Sequence, residues 1–388
     1  MSKTNKFSIE TICVQGSNEF ADPYGAVSCP IYQNATFAHP ALGASTGYDY
    51  SRVGNPTRDE LQRTVALLEG GSQAFAFSSG MAAISAVMEL FSYGNHIVAT
   101  DDLYGGTVRL WNNIGKKNGY EVSLVDTSDL EAVEAAITPA TKAIYLETPS
   151  NPMMKVADIR AIADLAHKAG CLLLVDHTFL SPYFQKPLEL GADVVIHSGT
   201  KYLSGHNDVL AGFLVVKSEE LATRLNEIYK TTGACLSPMD SWLVIRGIKT
   251  LALRMEQHQK NAIRIAEWLR GQKIVKKVHY IGLAEHPQVS VTKKQCKGYG
   301  GMVSFQVKDA GTAETILNSV RLIRFAESLG GVESLITYPM KQTHAEVPKE
   351  QREALGIDET LLRLSVGVEN TEDLIQDLEQ AFRKAEGL

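Results

Sequence analysis

The feature that most constrains the fold is the alternation of short apolar segments with helical segments from residue 73 onward. QAFAF at 73–77 and HIVAT at 96–100 predict strands, and CLLLVD at 171–176 predicts a continuous apolar strand. Helical patterns occupy the intervals, for example at 80–90 and 156–169. Strands that are apolar throughout must be covered on both faces. This alternation therefore predicts an α/β fold with a mostly parallel sheet between helices.

The same patterns divide the chain into three regions. Residues 1–56 are rich in Gly, Ser, Asn and Pro, show no sustained period and predict an irregular N-terminal arm. Residues 57–250 carry the alternating segments and predict the large domain. A long helical region from about 238 to 269 leads into residues 251–388, which predict a smaller C-terminal α/β domain.

Composition excludes several function classes. The chain has 38 basic and 44 acidic residues, so we expect no binding to nucleic acid or to an anionic membrane. Five cysteines without CxxC spacing argue against a zinc site and a disulfide framework, and they favour a reduced, cytoplasmic protein. The sequence contains no GxGxxG, no GxxxxGK[ST] and no HExxH motif. We therefore predict no Rossmann dinucleotide site, no P-loop and no catalytic metal.

The segment SGTKY at 198–202 follows the apolar strand pattern DVVIHS, at an edge where α/β sheets bind ligands. The hydroxyl groups of Ser198 and Thr200 suit phosphate oxygens. A lysine with a lowered pKa, here Lys201, is a nucleophile for a carbonyl carbon. A surface turn that happens to contain a lysine would have the same sequence, so this segment alone does not identify a site.

Three more polar features fall at strand ends of the predicted sheet. Asp176 closes the strand LLLVD, where a pyridinium nitrogen, a helix cap or a buried salt bridge would each satisfy the carboxylate. SSGM at 78–81 forms a strand-to-helix turn that binds an anion through backbone N–H groups or simply caps the helix. Tyr104 opens a helix and either stacks on a flat cofactor or packs in the core. Combined with Lys201, these features fit pyridoxal phosphate better than any other cofactor.

With these residues in place, the chain resembles the pyridoxal-phosphate enzymes of cysteine and methionine metabolism, the cystathionine synthase and lyase family. The resemblance extends over nearly the whole chain. It rests on the motifs YSRVGNPTR at 50–58, TPSNP at 148–152, VDHTF at 175–179, SGTKY at 198–202, GHND at 205–208, AESLGG at 326–331 and RLSVG at 363–367. It implies fold type I of these enzymes, the aspartate-aminotransferase-like fold, with residues 57–250 as the domain that binds pyridoxal 5′-phosphate.

The resemblance also implies roles around the cofactor. Lys201 would hold the cofactor covalently and then transfer protons, and Asp176 would pair with the pyridine nitrogen. Tyr104 would stack on the ring and assist proton transfer. The remaining cofactor contacts would go to the phosphate, from Gly80, Met81, Ser198 and Thr200 of the same chain and from Tyr50 and Arg52 of a neighbouring subunit.

Substrate contacts follow from the same resemblance. Arg363, with Asn151 and Ser328, would hold the α-carboxylate of an amino-acid substrate, because a guanidinium suits bidentate recognition of a carboxylate. Asp49 and Glu327 match acidic positions near the distal end of the family's substrate, which carries an ammonium group in cystathionine. Ordinary surface acids would explain these two residues equally simply.

Two positions depart from the family pattern. His177 stands where family members usually have asparagine, in the residue after Asp176. Gly106 stands where methionine γ-lyases carry a cysteine, two residues after Tyr104. The second departure argues against methionine as the main substrate.

The resemblance implies a pyridoxal-phosphate-dependent carbon–sulfur lyase that cleaves L-cystathionine by β- or γ-elimination in transsulfuration and methionine metabolism. A cystathionine γ-synthase or an O-acyl-homoserine sulfhydrylase is the alternative, because these transferases share nearly every residue named above. A catalytically inactive homologue is a third possibility, although every catalytic position is filled. The resemblance at Tyr50 and Arg52 implies at least a dimer with shared active sites, and the family resemblance also implies a homotetramer.

Overall fold

The strands of the chain form two sheets that long helices connect. The computed structural model describes residues 7–17, 22–345 and 347–388. Within these residues, the larger sheet contains β1 (Gln73–Phe77), β2 (His96–Thr100), β3 (Glu121–Val125), β4 (Thr141–Glu147), β5 (Leu172–Asp176), β6 (Val194–Ser198) and β7 (Gly212–Val216). The smaller sheet contains β8 (Val275–His279), β9 (Met302–Val307), β10 (Arg324–Phe325), β11 (Leu335–Thr337) and β12 (Leu361–Ser365).

Helices pack around both sheets. In the described ranges they are α1 (Ile9–Gln15), α2 (Pro56–Glu69), α3 (Gly80–Met88), α4 (Gly105–Leu110), α5 (Lys116–Asn118), α6 (Leu130–Ala136), α7 (Ile159–Lys168), α8 (Ser181–Phe184), α9 (Glu219–Thr232), α10 (Pro238–Ile248), α11 (Leu251–Arg270), α12 (Val289–Gln295), α13 (Ala310–Leu317), α14 (Lys349–Leu355) and α15 (Thr371–Ala385). A π-helical segment, Trp111–Gly115, joins α4 to α5. None of the helices described here is long and apolar enough to cross a membrane.

The larger sheet has the strand order β1-β7-β6-β5-β4-β2-β3. β7 pairs antiparallel with both of its neighbours, and the remaining neighbours pair in parallel. The smaller sheet has the order β10-β11-β12-β9-β8 and is antiparallel except for the pair β10–β11. The predicted α/β fold, with a large, mostly parallel sheet and a smaller sheet domain, is confirmed.

The larger sheet separates two apolar cores, because successive side chains of a strand point to opposite faces. Along β1, Ala74 and Ala76 belong to one buried cluster, which also contains side chains of α2, α7 and α10. Phe75 and Phe77 belong to the other cluster, together with side chains of α3 and α9. A third cluster joins the smaller sheet to α11, α13 and α15. Burial on both faces explains why the central strands consist of consecutive apolar residues.

The prediction of an irregular arm was wrong at α1. This helix packs against α2 and α11, and its Cys13 is buried. Its seven residues are too few for a helical period to stand out in the sequence. Residues 1–6 and 18–21 of the predicted arm lie outside the described ranges.

The long helical region predicted over about 238–269 consists of two helices, α10 and α11, with a break between residues 248 and 251. At the break, Arg254 Nη2 donates to the Gly247 carbonyl at 2.9 Å and Arg254 Nε donates to Thr250 Oγ1 at 3.1 Å. The side chain therefore satisfies the Gly247 carbonyl, which a backbone N–H would have satisfied in a continuous helix. The division of domains between residues 250 and 251 falls at this break and stays a prediction.

Candidate active site

The carboxyl ends of the central strands border a cavity of about 330 Å³. β4 contributes its last residue, Glu147, and β5 contributes Asp176. Most of the predicted site residues line this cavity: Gly80, Met81, Tyr104, Asn151, Asp176, Ser198, Thr200, Lys201, Glu327, Ser328 and Arg363. The parallel topology brings together side chains that are far apart in sequence, because parallel strands end at the same edge of a sheet.

Lys201 lies in the turn after β6, with its amine inside the cavity. Its Nζ donates a hydrogen bond to Ser328 Oγ at 2.6 Å. Burial and the nearby Arg363 guanidinium lower the pKa of Lys201 to about 8, against a smaller opposite effect of Glu327. A lowered pKa leaves more of the amine neutral at physiological pH, and the neutral amine is the nucleophilic form.

Asp176 is a buried carboxylate at the end of β5, 7% exposed. Its Oδ1 accepts hydrogen bonds from the Thr178 N–H at 3.2 Å and from Thr178 Oγ1 at 2.6 Å. Burial is the largest influence on Asp176 and raises its pKa. In the part of the chain that the structure describes, no lysine or arginine forms an ion pair with it. His197 is the nearby charge that lowers the pKa of Asp176 against the effect of burial. A protonated ring nitrogen would add a cation inside the cavity, so Asp176 fits the pyridine nitrogen of pyridoxal phosphate.

The turn between β1 and α3 forms a cradle for an anion. Ser79 caps α3, its side chain accepting the N–H of Ala82 at 3.1 Å. The turn lies so close to β6 that a Cβ atom on Gly80 would come within 3.0 Å of Ser198 Cβ. Ser198 and Thr200 add hydroxyl groups to the same wall of the cavity. This donor set, beside a helix N-terminus, fits the phosphate group of the cofactor.

Arg363 lies on β12 and is 1% exposed. Its Nη1 donates to Asn151 Oδ1 at 2.7 Å, and its Nη2 donates to the Ser328 carbonyl at 3.1 Å and to Thr337 Oγ1 at 3.3 Å. Nε has no hydrogen-bond partner among the described residues. Burial lowers the pKa of Arg363 to about 10, which still leaves it cationic at neutral pH. A cationic guanidinium that lines the cavity and is held in place by its neighbours is suited to bind a substrate carboxylate.

Tyr104 lies at the start of α4, directly beside the cavity. Its backbone N–H donates to Glu147 Oε2 at 2.9 Å. A Cβ atom on Gly106 would come within 2.4 Å of Tyr104 Cε1. The departure at Gly106 therefore has a physical consequence: a side chain there would displace the Tyr104 ring from the position it occupies.

Glu147, Leu210 and Thr343 also line the cavity, and the sequence analysis did not identify them. Glu147 carries a recognisable signal, because it ends the apolar strand TKAIYLE just as Asp176 ends LLLVD. Leu210 and Thr343 lie in loops without a local motif.

Asp49, Tyr50 and Arg52 do not line the cavity. Asp49 accepts a hydrogen bond from Ser45 Oγ at 3.1 Å, and Tyr50 is 47% exposed. Arg52 lies over the Tyr50 ring at 5.7 Å and donates to the Lys230 carbonyl at 2.5 Å. Their predicted roles at a neighbouring subunit's phosphate and at the distal end of a substrate stay predictions.

His177 is fully buried, and its ring lies against that of His197 with 5.9 Å between centroids. Burial lowers the pKa of His177 to about 3, so the imidazole is neutral at physiological pH. Neither ring nitrogen has a hydrogen-bond partner within the described residues. The histidine that replaces the family's asparagine therefore adds no charge beside Asp176.

A nucleophilic lysine, a buried carboxylate without a lysine or arginine partner and an anion-binding turn at one sheet edge define a pyridoxal-phosphate enzyme of fold type I. The chain belongs to the family described as "Cys/Met metabolism PLP-dependent enzyme", whose sequence profile matches residues 10–383.

Relatives within this family carry several activities. The chain is 50% identical to a cystathionine gamma-lyase of Bacillus subtilis (strain 168), over 96% of this chain and 98% of the relative. It is 51% identical to a cystathionine beta-lyase of Lactococcus lactis subsp. cremoris (strain MG1363), over 97% and 99%. It is 49% identical to a cystathionine gamma-synthase of Haemophilus influenzae, over 98% and 99%. The crystal structure of a cystathionine gamma-lyase from Lactobacillus plantarum complexed with L-serine has a TM-score of 0.96 at 46% identity, covering 98% of this chain and 100% of that chain.

Proposed function

We propose that the protein is a carbon–sulfur lyase that cleaves L-cystathionine by elimination. The observation that carries this proposal is the meeting of Lys201, Asp176 and Arg363 in one cavity. Relatives about half identical over nearly their whole length include cystathionine lyases of both the beta and the gamma kind.

Arg363 and Asn151 bind the α-carboxylate of the substrate in this proposal. Asn151 Oδ1 holds Arg363 Nη1 at 2.7 Å, and the Ser328 carbonyl holds Nη2, so the guanidinium plane is fixed before substrate enters. A guanidinium that is already fixed loses little conformational entropy when a carboxylate binds. The α-carbon is thereby oriented towards Lys201.

Lys201 acts as the general base. Bound pyridoxal phosphate supplies an electron sink that allows a proton to leave the α-carbon. Lys201 Nζ accepts that proton, and its hydrogen bond to Ser328 Oγ holds the amine in place. β-Elimination needs only this proton transfer, whereas γ-elimination also needs a proton to leave the β-carbon. Asp176 keeps the ring nitrogen protonated throughout.

A γ-replacement transferase, either a cystathionine γ-synthase or an O-acyl-homoserine sulfhydrylase, is the second candidate. Its support is the 49% identity to the Haemophilus influenzae cystathionine gamma-synthase. Every residue assigned above would serve that reaction equally well, because it begins with the same proton transfer. The two candidates differ in whether a thiol must be added.

We also propose that two copies of the chain share their active sites and assemble further into a homotetramer. Tyr50 and Arg52 would reach the phosphate of the neighbouring subunit. Large apolar side chains exposed along the arm, Val27, Leu42 and Val53, support burial of this segment by another copy. A cytoplasmic location is part of the same proposal, supported by five free cysteines.

Incubation of the cofactor-loaded protein with L-cystathionine alone tests the lyase proposal. We expect a 2-oxo acid and ammonia without added thiol. Pyruvate with homocysteine would identify β-elimination, and 2-oxobutyrate with cysteine would identify γ-elimination. No 2-oxo acid, together with replacement activity on an activated homoserine ester and a thiol, would instead establish the transferase.

A further inference from the structure

Glu147 lines the active-site cavity, yet none of the roles proposed above uses it. It is the last residue of β4, and in the parallel pairing of β4 with β5 its Cα is the partner of Asp176. The side chain is buried, with 6% of the residue exposed. Two carboxyl groups therefore end adjacent strands at the same edge of the sheet, inside one cavity.

Two buried carboxyl groups so placed cannot both ionise at low cost, since each charge repels the other and both lack water. Asp102 adds a third buried carboxyl group nearby, and Arg363 is the cation that faces Glu147. Burial and the charge of Asp176 raise the pKa of Glu147 well above its usual range. Burial beside Asp176 therefore favours the protonated form of Glu147, whereas a bound pyridine nitrogen would give Asp176 a cation to pair with.

The contact that Glu147 makes is with the backbone of Tyr104. Tyr104 is the residue before α4, and no side chain of its own caps this helix. Glu147 Oε2 accepts the Tyr104 N–H at 2.9 Å and so fixes the point at which α4 begins. The next residue, Gly105, is packed so closely that a Cβ atom on it would meet the Thr343 carbonyl oxygen at 2.4 Å. The backbone that carries the Tyr104 ring is therefore held from two sides.

We propose that Glu147 is a positioning residue that acts as an uncharged hydrogen-bond acceptor and sets the place of the Tyr104 ring over the cofactor. This inference rests on the proposed function, because it assigns Glu147 to the ring that stacks on pyridoxal phosphate. Glu147 does not touch the reacting atoms. Its effect reaches the reaction through Tyr104.

Two substitutions of Glu147 distinguish a role as a hydrogen-bond acceptor from a role as a charged group. Glu147→Gln keeps an acceptor oxygen of the same reach and has no charge at any pH. Glu147→Leu keeps the volume but has no acceptor. We expect Glu147→Leu to lower kcat about 20- to 100-fold with KM changed less than about threefold, because a small displacement of a positioned group costs rate more than binding. We expect Glu147→Gln to lower kcat less than about fivefold. Glu131→Leu, at an exposed position of α6, controls for the substitution itself.

The visible circular dichroism of the bound cofactor, recorded without substrate, provides a second measurement. The signal depends on how protein groups are arranged around the ring, so Glu147→Leu should change it and Glu147→Gln should preserve it. In a Tyr104→Ala background, Glu147→Leu should lower kcat by less than about threefold further, because the two residues act as one unit.

Three results would overturn the inference. Equal losses in Glu147→Gln and Glu147→Leu would show that a charge or a proton is required. An unchanged dichroism signal in Glu147→Leu would show that Tyr104 does not depend on Glu147, and fully multiplicative losses in the double variant would show the same. If the unmodified protein leaves cystathionine intact, the lyase proposal fails, while the dichroism comparison still decides the role of Glu147.

Discussion

The active-site cavity and the N-terminal arm hold their polar side chains in different ways. In the cavity, Arg363 is 1% exposed and makes three hydrogen bonds to neighbouring groups. In the arm, Tyr50 is 47% exposed and Arg52 is anchored by one backbone carbonyl and by the Tyr50 ring. Packing within one chain fixes the cavity, whereas the arm presents its charges outward. Eleven of the fourteen predicted site residues therefore line one cavity of a single copy, whereas the proposed roles of Tyr50 and Arg52 require a second copy.

The largest effect should come from Lys201→Ala, which removes the base from the cavity. Loss of a positioned general base costs about 10²–10⁴-fold, and loss of the nucleophile adds to this. We expect turnover of cystathionine to fall at least about 10³-fold. Steady-state release of 2-oxo acid measures the effect, with Lys308→Ala, at an exposed position outside the cavity, as the control. Turnover within tenfold of the unmodified enzyme would show that another group is the base.

Arg363→Lys should have the next largest effect. A lysine ammonium lacks the planar arrangement of five donors with which the guanidinium holds Asn151 and the Ser328 carbonyl and matches a carboxylate. A hydrogen bond to a charged group contributes about 1.5–3 kcal/mol, so kcat/KM should fall about 10- to 100-fold, mainly through KM. Arg321→Lys, at an exposed position, is the matched control. An unchanged KM would place the carboxylate elsewhere in the cavity.

Arg52→Ala should weaken cofactor binding about tenfold, the cost of one exposed charge-assisted contact to a phosphate. Equilibrium dialysis of pyridoxal phosphate against the apoenzyme measures this dissociation constant. Because Arg52 lies outside the cavity of its own chain, such an effect would indicate that the arm contributes to the cofactor site of another copy. Unchanged affinity would remove Arg52 from the cofactor site altogether.

The smallest effect concerns pH. The amine of Lys201 must be neutral to capture the cofactor, and burial lowers its pKa to about 8. The rate of covalent capture by the apoenzyme should therefore rise with pH and level off above about 8, with a gain of about fivefold between pH 7 and pH 8. Stopped-flow absorbance follows the reaction. A rate that keeps rising tenfold per unit to pH 10 would mean that Lys201 has an ordinary pKa.

Much of the cavity could be predicted from the sequence because its reactive residues directly follow strands that the sequence also predicts. Lys201, Asp176 and the turn at 78–81 each follow an apolar strand, and parallel strands end together. Thr343 could not be predicted, because a loop reaches the cavity only through packing of the smaller domain. The break between α10 and α11 was missed for a similar reason, since the capping group is Arg254, several residues further along the chain.

The role of the arm is tested most directly by mixing two variants, one that lacks the base and one that binds the cofactor weakly. In our account, each site takes Lys201 from one copy and Arg52 from the other. A hybrid dimer of one Lys201→Ala chain and one Arg52→Ala chain then contains one intact site and one site that lacks both residues. At a cofactor concentration too low for Arg52→Ala alone, unfolding and refolding the equimolar mixture should restore about one quarter of the unmodified activity, because half of the dimers are hybrids with one good site. Activity no greater than the mean of the two separate variants would show that Arg52 serves its own chain.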